Sequence, residues 1–162
     1  MMLSKKKIAL IGASAVGKSS CAQQFEEVAG ASSMDKKFGK VAPSLEAAVA
    51  WIVSGTSEVV VDVSAHEDLL FELYDHRRNR VTKPVDLKDI LFVHLYCPVP
   101  GIRLQRLRQS GRREGALPEA IAWDELVNNM CHTIADVSIN TADMSLDEVQ
   151  QTISSLRSVW VG

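Results

Sequence analysis

The sequence predicts a three-layer α/β fold with a parallel sheet, and two observations support this class. Short runs rich in Val, Ile and Leu alternate along the chain with longer segments in which apolar residues recur at helical spacing. Helical segments rather than tight turns join these runs, which is typical of parallel strands. The chain has 162 residues, of which 46% are hydrophobic and 23% charged, so we expect a single domain over residues 1–162.

Four short apolar runs are predicted to be strands. They cover residues 7–11, 58–63, 90–97 and 137–140. The first is a buried strand that ends at Gly12, and the second, EVVVDV, is also apolar enough to be buried. The third, ILFVHLYC, lies in the longest apolar run of the later chain.

The segments between these strands carry the start and stop signals of helices. They cover residues 19–28, 44–53, 66–80, 100–108 and 123–132, with a last helix starting at Ser145. Gly30 is the predicted stop of the first helix, and Pro43 and Gly55 bound the second. Ser145 and Glu148 are spaced as a capping box, in which each side chain binds the backbone N–H of the other residue.

The charge balance disfavours nucleic acid and anionic membranes as partners. The chain has 18 Lys and Arg residues and 20 Asp and Glu residues, which gives a net charge of −2. Proteins that bind nucleic acid or anionic membranes are usually basic. The three cysteines lie far apart without metal-ligand spacing, which favours reduced thiols over disulfides or structural zinc. Neither a signal segment nor a membrane span is recognisable, so we expect a soluble, cytoplasmic protein.

A phosphate-binding motif directly follows the first predicted strand. The chain matches GxxxxGK[ST] at every fixed position, with the residues Gly12-Ala13-Ser14-Ala15-Val16-Gly17-Lys18-Ser19. The glycines let backbone N–H groups approach phosphates at a helix N-terminus, and we include Ser20 among the nucleotide-binding residues. Lys18 is predicted to reach the β- and γ-phosphates of ATP, and the Ser19 hydroxyl to ligate Mg²⁺.

With this motif, the chain resembles the small P-loop kinases, which include shikimate, gluconate and adenylate kinases and zeta-toxin-like phosphotransferases. Further stretches match in the same order, namely Ser32–Asp35, Val59–Ala65, Arg103–Arg113 and Ala135–Thr141. The resemblance implies a P-loop fold with a five-stranded parallel sheet of order 2-3-1-4-5 and a lid around residues 108–118. It also implies ATP- and Mg²⁺-dependent phosphoryl transfer to a hydroxyl or phosphate of a small-molecule acceptor.

The chain departs from particular members of this group at three places. Ser64-Ala65-His66 stands where shikimate kinases have three glycines, and no arginine near residues 129–132 matches the one they carry after the lid. The segment after Asp35 also differs from the acceptor segment of gluconate kinases. We therefore expect neither shikimate nor gluconate as the acceptor.

Two carboxylates are candidates for catalytic and metal roles. Asp35 follows the expected second strand, where these kinases often place an acid facing the acceptor, although an exposed loop carboxylate would also fit. Asp62 ends a predicted strand beside the phosphate-binding strand, where it can hold a Mg²⁺-bound water or simply cap the next turn. We assign Asp35 to catalysis and acceptor binding, and Asp62 to metal support.

Basic residues provide the remaining candidates. Residues 97–113 contain five arginines and no acid, which is typical of a lid or of a solvated basic helix end. We place Arg106 against the nucleotide, and Arg112 and Arg113 over the transferring phosphoryl group, whose oxygens a positive charge stabilises. Lys36 and Arg77 are candidates to bind an anionic acceptor, with stabilisation of a helix C-terminus as the alternative role of Arg77.

Two other functions remain open at this point. The chain could be a nucleoside-monophosphate-type kinase, or a nucleotide-binding regulatory protein that uses the P-loop as a switch. A GTPase is disfavoured because the NKxD base-specificity motif has only an incomplete match, Thr82-Lys83-Pro84-Val85. The arginine-rich lid favours a kinase over a switch, which has less need of several mobile cations.

Overall fold

The computed structural model describes residues 7–12, 37–38, 43–55, 59–61, 63–98, 105 and 117–161. Strands and helices alternate along these ranges, and we number them in chain order. The strands are β1 (Lys7–Ile11), β2 (Val59–Val60), β3 (Ile90–Tyr96) and β4 (Val137–Asn140). The helices are α1 (Leu45–Ser54), α2 (Glu67–Arg77), α3 (Leu117–Ile134) and α4 (Leu146–Val161), with a 3₁₀ turn (Val63–Ala65) between β2 and α2.

The four strands form one parallel sheet of order β2-β1-β3-β4. Ile8 of β1 lies opposite Val59 on one side and Leu91 on the other. The α/β class and the parallel sheet are therefore confirmed. The further strand expected before Asp35 lies outside the described residues, so the five-stranded order stays a prediction, as do the helices predicted over 19–28 and 100–108.

Both faces of the sheet are covered, which makes three layers. Ile11 and Phe92 pack in a cluster with α1, α2 and α3, whereas Leu10 and Val93 pack in a second cluster with α4. All five residues of β1 are buried, as predicted; four of them, Ile8–Ile11, are apolar, and the fifth is Lys7. Each fully buried Leu, Ile or Val contributes roughly 1.5–3 kcal/mol relative to exposure, so these two clusters are the main source of stability.

Local signals set two helix starts where the sequence predicts them. Ser44 Oγ accepts a hydrogen bond from the Ala47 N–H at 3.2 Å, which makes Ser44 the N-cap of α1. At α4, the Glu148 N–H donates to Ser145 Oγ at 3.2 Å and the Ser145 N–H donates to Glu148 Oε1 at 3.3 Å. The predicted capping box is thus confirmed.

The end of α2 differs from the prediction by three residues. The helix ends at Arg77 rather than at residue 80, because Asn79 adopts a left-handed conformation with φ 56°. The Asn79 N–H donates to the His76 carbonyl at 3.2 Å and the Arg80 N–H to the Asp75 carbonyl at 2.9 Å. This pair of bonds is a Schellman motif, which satisfies carbonyls that the helix end leaves without partners.

Two other elements have different lengths from those predicted. β2 is short because the chain turns into the 3₁₀ helix (Val63–Ala65) soon after Val60. Helix α3 extends beyond the predicted 123–132 at both ends. Pro118 falls in its first turn, where the missing N–H removes no helical hydrogen bond. None of the helices in the described ranges is long and apolar enough to cross a membrane.

Candidate functional site

The carboxyl end of β1 lies at a point where the connections of the sheet reverse direction. The chain leaves β1 to form its neighbour β2 on one side and then crosses to form β3 on the other side. Such a reversal leaves a crevice outside the carboxyl ends of parallel strands, where open α/β sheets bind their ligands. Gly12, the first residue of the phosphate-binding motif, follows β1 directly at this crevice.

Gly12 has a backbone conformation that favours glycine. Its φ is 149°, within the range that residues with a Cβ rarely adopt. The residue is buried, so its N–H and C=O groups need partners within the protein. The motif therefore starts with a residue whose backbone conformation would strain any side chain with a Cβ.

The Ser64 hydroxyl, in the neighbouring 3₁₀ turn, binds both of these groups. It donates to the Gly12 carbonyl oxygen at 3.0 Å, and its Oγ accepts the Gly12 N–H at 3.2 Å. Ser64 is only 7% exposed, so water competes little for these hydrogen bonds. We refer to this pair of bonds as the Ser64 clamp, which ties the start of the motif to the segment between β2 and α2.

The carboxyl ends of β3 and β4 are also fastened together. Both the backbone N–H and the hydroxyl of Thr141 donate to the Tyr96 carbonyl, at 2.8 and 3.1 Å. Asn140 Oδ1 accepts the Ala142 N–H at 3.0 Å, which shapes the turn after β4. The loop that resembles the adenine-side loop of the small kinases is thus held at the carboxyl ends of the strands, the same end of the sheet as Gly12.

Most of the predicted site residues lie outside the described residues. They are Ala13, Ser14, Ala15, Val16, Gly17, Lys18, Ser19, Ser20, Asp35, Lys36, Asp62, Arg106, Arg112 and Arg113. Their roles therefore stay predictions. In the described part of the chain, no three His, Cys, Asp or Glu side chains are grouped so as to hold a metal ion.

Arg77 lies in the described part of the chain, and its side chain contacts other residues of the protein at the end of the sheet opposite to Gly12. Its Nε donates to the Ile134 carbonyl at 2.9 Å, and its Nη2 lies 3.3 Å from Asp136 Oδ1. The guanidinium also lies over the Phe92 ring, 5.5 Å from its centroid. Because Asp136 directly precedes β4, this cluster lies near the amino ends of the strands, which favours a structural role over the predicted contact with an acceptor.

Two histidines for which the sequence offers no catalytic spacing come together between β3 and α3. The rings of His94 and His132 have centroids 4.6 Å apart, and the Tyr96 ring lies 4.7 Å from that of His132. His94 is fully buried, and its Nε2 lies 3.2 Å from Asn128 Oδ1. These contacts pack α3 against the sheet.

Comparison with known proteins found a similar structure but no protein of similar sequence. No protein-family model matches the chain, and no curated protein matches it at a significant level. The structure of shikimate kinase from Acinetobacter baumannii in complex with shikimate is similar over 96% of this chain and 94% of that chain, with a TM-score of 0.62. The two proteins share a fold. The sequences are 15% identical, so the expected resemblance to the small P-loop kinases is confirmed at the level of the fold.

The sequence did not predict the contact of Ser64 with Gly12 at the carboxyl ends of the strands. Its sequence context shows only a serine shortly after an apolar run, in the place where shikimate kinases have glycine. Its partner Gly12 is 52 residues earlier in the chain. The one available signal is that the strand predicted over residues 58–63 lies beside the phosphate-binding strand in the resembling proteins, which places the residues after it close to the motif.

Proposed function

We propose that this protein transfers the γ-phosphoryl group of ATP, with Mg²⁺, to a hydroxyl or phosphate group of a small molecule. The observation that carries the proposal is the position of the motif Gly12–Ser19, which begins at the carboxyl end of β1, where the sheet connections reverse. A phosphate-binding motif needs a strand before it and a ligand crevice beside it. The described residues have that arrangement, and the shared fold with a shikimate kinase supports it.

The motif residues would bind and orient the nucleotide. Backbone N–H groups of residues 13–19 would contact the phosphate oxygens, and Lys18 would neutralise the charge on the β- and γ-phosphates. Ser19 and Asp62 offer hydroxyl and carboxylate oxygens, the hard ligands that Mg²⁺ prefers, so these residue types fit the metal. The metal would supply further positive charge against the phosphate oxygens.

The acceptor would be oriented by Asp35 and Lys36. A carboxylate that accepts the proton of an attacking hydroxyl is the usual general base for this chemistry. Arg106 would contact the nucleotide, and Arg112 and Arg113 would stabilise charge on the transferring group. Arg77 is left out of this assignment because its guanidinium already contacts Ile134, Asp136 and Phe92.

The related structure contains shikimate, but we do not propose shikimate as the acceptor here. The three glycines expected for a shikimate kinase are replaced by Ser64, Ala65 and His66. In this chain Ser64 and His66 are buried, and the Ser64 hydroxyl is already bonded to Gly12. The buried Ser64 and His66 side chains therefore occupy space that a turn of glycines would leave open.

The proposal is tested by ADP release from MgATP in the presence and absence of mixtures of small metabolites. We expect turnover to rise well above background with at least one mixture that contains hydroxyl or phosphate acceptors. The Lys18→Ala variant should lose this turnover while its melting temperature stays within about 2 °C of wild type, because a loop cation contributes little to the core.

Three outcomes decide between the candidate functions. Acceptance of nucleoside monophosphates alone would indicate the nucleoside-monophosphate-type kinase. Tight nucleotide binding with only background turnover would contradict the proposal and favour a regulatory switch. Equal losses of stability and activity in Lys18→Ala would show that the motif is a structural turn.

A further inference from the structure

We infer that Ser64 is a positioning residue for the phosphate-binding motif, acting through its two hydrogen bonds to Gly12. This inference rests on the proposed nucleotide-binding function of the motif. The N–H of Gly12 belongs to the peptide group before its Cα, and the C=O belongs to the peptide group after it. One hydroxyl that binds both groups therefore restricts the φ and ψ angles between them.

This restriction matters because Gly12 is a glycine. Glycine has the widest choice of backbone conformations, and a chain that leaves β1 through Gly12 could start in many directions. The Ser64 clamp holds Gly12 in the conformation with φ 149°, and thereby fixes the backbone geometry at the first residue of the motif. Preorganised backbone N–H groups bind phosphate oxygens without first losing conformational freedom.

The surroundings of Ser64 are rigid enough for it to hold Gly12 in place. Ser64 lies in the middle of the 3₁₀ turn (Val63–Ala65), between Val63 and His66, which are 2% and 7% exposed. Val63 packs in the cluster beneath α2, and the His66 carbonyl accepts the Leu70 N–H in the first turn of that helix at 2.9 Å. The hydroxyl is therefore anchored to α2 and to the core.

The balance of donors and acceptors also favours this role. A hydroxyl has one donor and two acceptor lone pairs, so Ser64 can satisfy both Gly12 groups at once. Alanine would remove both of these hydrogen bonds, and glycine would do the same. Threonine keeps the hydroxyl and adds one methyl group, so it is the conservative replacement.

The test compares Ser64→Ala and Ser64→Thr with wild type. We expect Ser64→Ala to raise the Kd for MgADP about tenfold and to lower kcat/KM by about ten- to a hundredfold, since small misplacements of positioned groups have effects of this size. Hydrogen exchange at the Gly12 amide, followed by NMR in the nucleotide-free protein, should accelerate more than tenfold. Ser64→Thr should restore all three quantities to within about threefold of wild type.

Ile153→Val serves as a control for lost stability. Ile153 is fully buried in α4, on the other face of the sheet, so its truncation lowers the melting temperature without touching Gly12. This control should keep the wild-type Kd and the wild-type exchange rate at Gly12. If Ser64→Ala matches the control, with a lower melting temperature but wild-type Kd and exchange, the inference is wrong.

The failure of the proposed function is a separate result. If wild type binds MgADP but transfers no phosphoryl group, the kinase proposal fails, and a tenfold weaker Kd in Ser64→Ala still supports the positioning role. If wild type binds no nucleotide, the motif is not a nucleotide site and both proposals are overturned. The Gly12 exchange rate then shows only whether Ser64 orders this turn.

Discussion

Replacement of Arg77 by alanine should destabilise the fold without weakening nucleotide binding. Arg77 joins the end of α2 to the end of α3 and to the segment that precedes β4. The alanine variant loses one hydrogen bond from a charged donor, one ion pair and one cation–π contact. We expect the free energy of unfolding to fall by about 2 kcal/mol.

The individual contacts set this magnitude. A hydrogen bond from a charged group, such as the 2.9 Å bond from Arg77 Nε to the Ile134 carbonyl, contributes about 1.5–3 kcal/mol. The side chains of the Arg77–Asp136 pair are 28% and 35% exposed, so solvent screening limits the ion pair to about 0.2–1 kcal/mol. The contact with the Phe92 ring adds about 0.5–1 kcal/mol. One guanidinium makes all three contacts, so their energies overlap and do not simply add.

The assay is thermal unfolding followed by circular dichroism, beside urea unfolding. For a chain of this length, 2 kcal/mol corresponds to a decrease in Tm of about 4–8 °C. Arg78→Ala is the matched control, because the Arg78 guanidinium makes only exposed contacts in the described structure, to the Tyr74 hydroxyl at 3.2 Å and to its ring. It should cost about 0.5 kcal/mol.

The result that would refute this reasoning is specific. If Arg77→Ala keeps the wild-type Tm but raises the KM for an acceptor at least tenfold, Arg77 contacts the substrate as the sequence suggested. If Arg77→Ala and Arg78→Ala lose equal stability, the contacts to Ile134, Asp136 and Phe92 stabilise the fold no more than the exposed contacts of Arg78 do.

Three further predictions concern the motif, the lid and the carboxylates. Joint replacement of Arg112 and Arg113 by alanine should lower kcat far more than ATP affinity, measured by steady-state kinetics and calorimetry, and a loss of affinity alone would contradict the lid assignment. Asp35→Asn should lower turnover by roughly 10²–10⁴-fold and leave nucleotide affinity unchanged. Asp62→Asn should instead raise the Mg²⁺ concentration needed for half-maximal activity. Identical Mg²⁺ titrations of turnover for the two variants would contradict these separate roles. Gly12→Ala should lower stability by about 1–3 kcal/mol in urea unfolding, because its φ of 149° strains a residue with a Cβ, and an unchanged midpoint would show that the turn tolerates alanine.

Local patterns were sufficient for several elements. The apolar run Ile8–Ile11 predicts a buried strand, and the predicted bounds, residues 7–11, agree with the structure. Pro43 and the Ser145–Glu148 capping box predict the starts of α1 and α4, and the N-cap bond found at each start joins residues only three apart. Such interactions lie within one turn of the chain, so the sequence itself contains both partners at a known spacing.

Other features depend on partners that lie far away in the chain. Helix α1 has no basic residue in its last turn, and the cation at its C-terminal end is the buried Lys7, whose Nζ donates to the Gly55 carbonyl at 2.7 Å. Lys7 and Gly55 are 48 residues apart. No spacing rule predicts this bond, because it exists only once α1 packs against the sheet.

The candidate site divides in the same way. The sequence alone determined the residue types of the phosphate-binding motif and its place after a strand, since both are local. Only the tertiary structure decided that Ser64 meets Gly12 and that Arg77 meets Asp136, across 52 and 59 residues. The pairing of β1 with β2 brings Ser64 close to Gly12. The pairing of β3 with β4 and the packing of α2 against α3 bring Arg77 close to Asp136. The register of parallel neighbours depends on how the helices between them pack on the sheet.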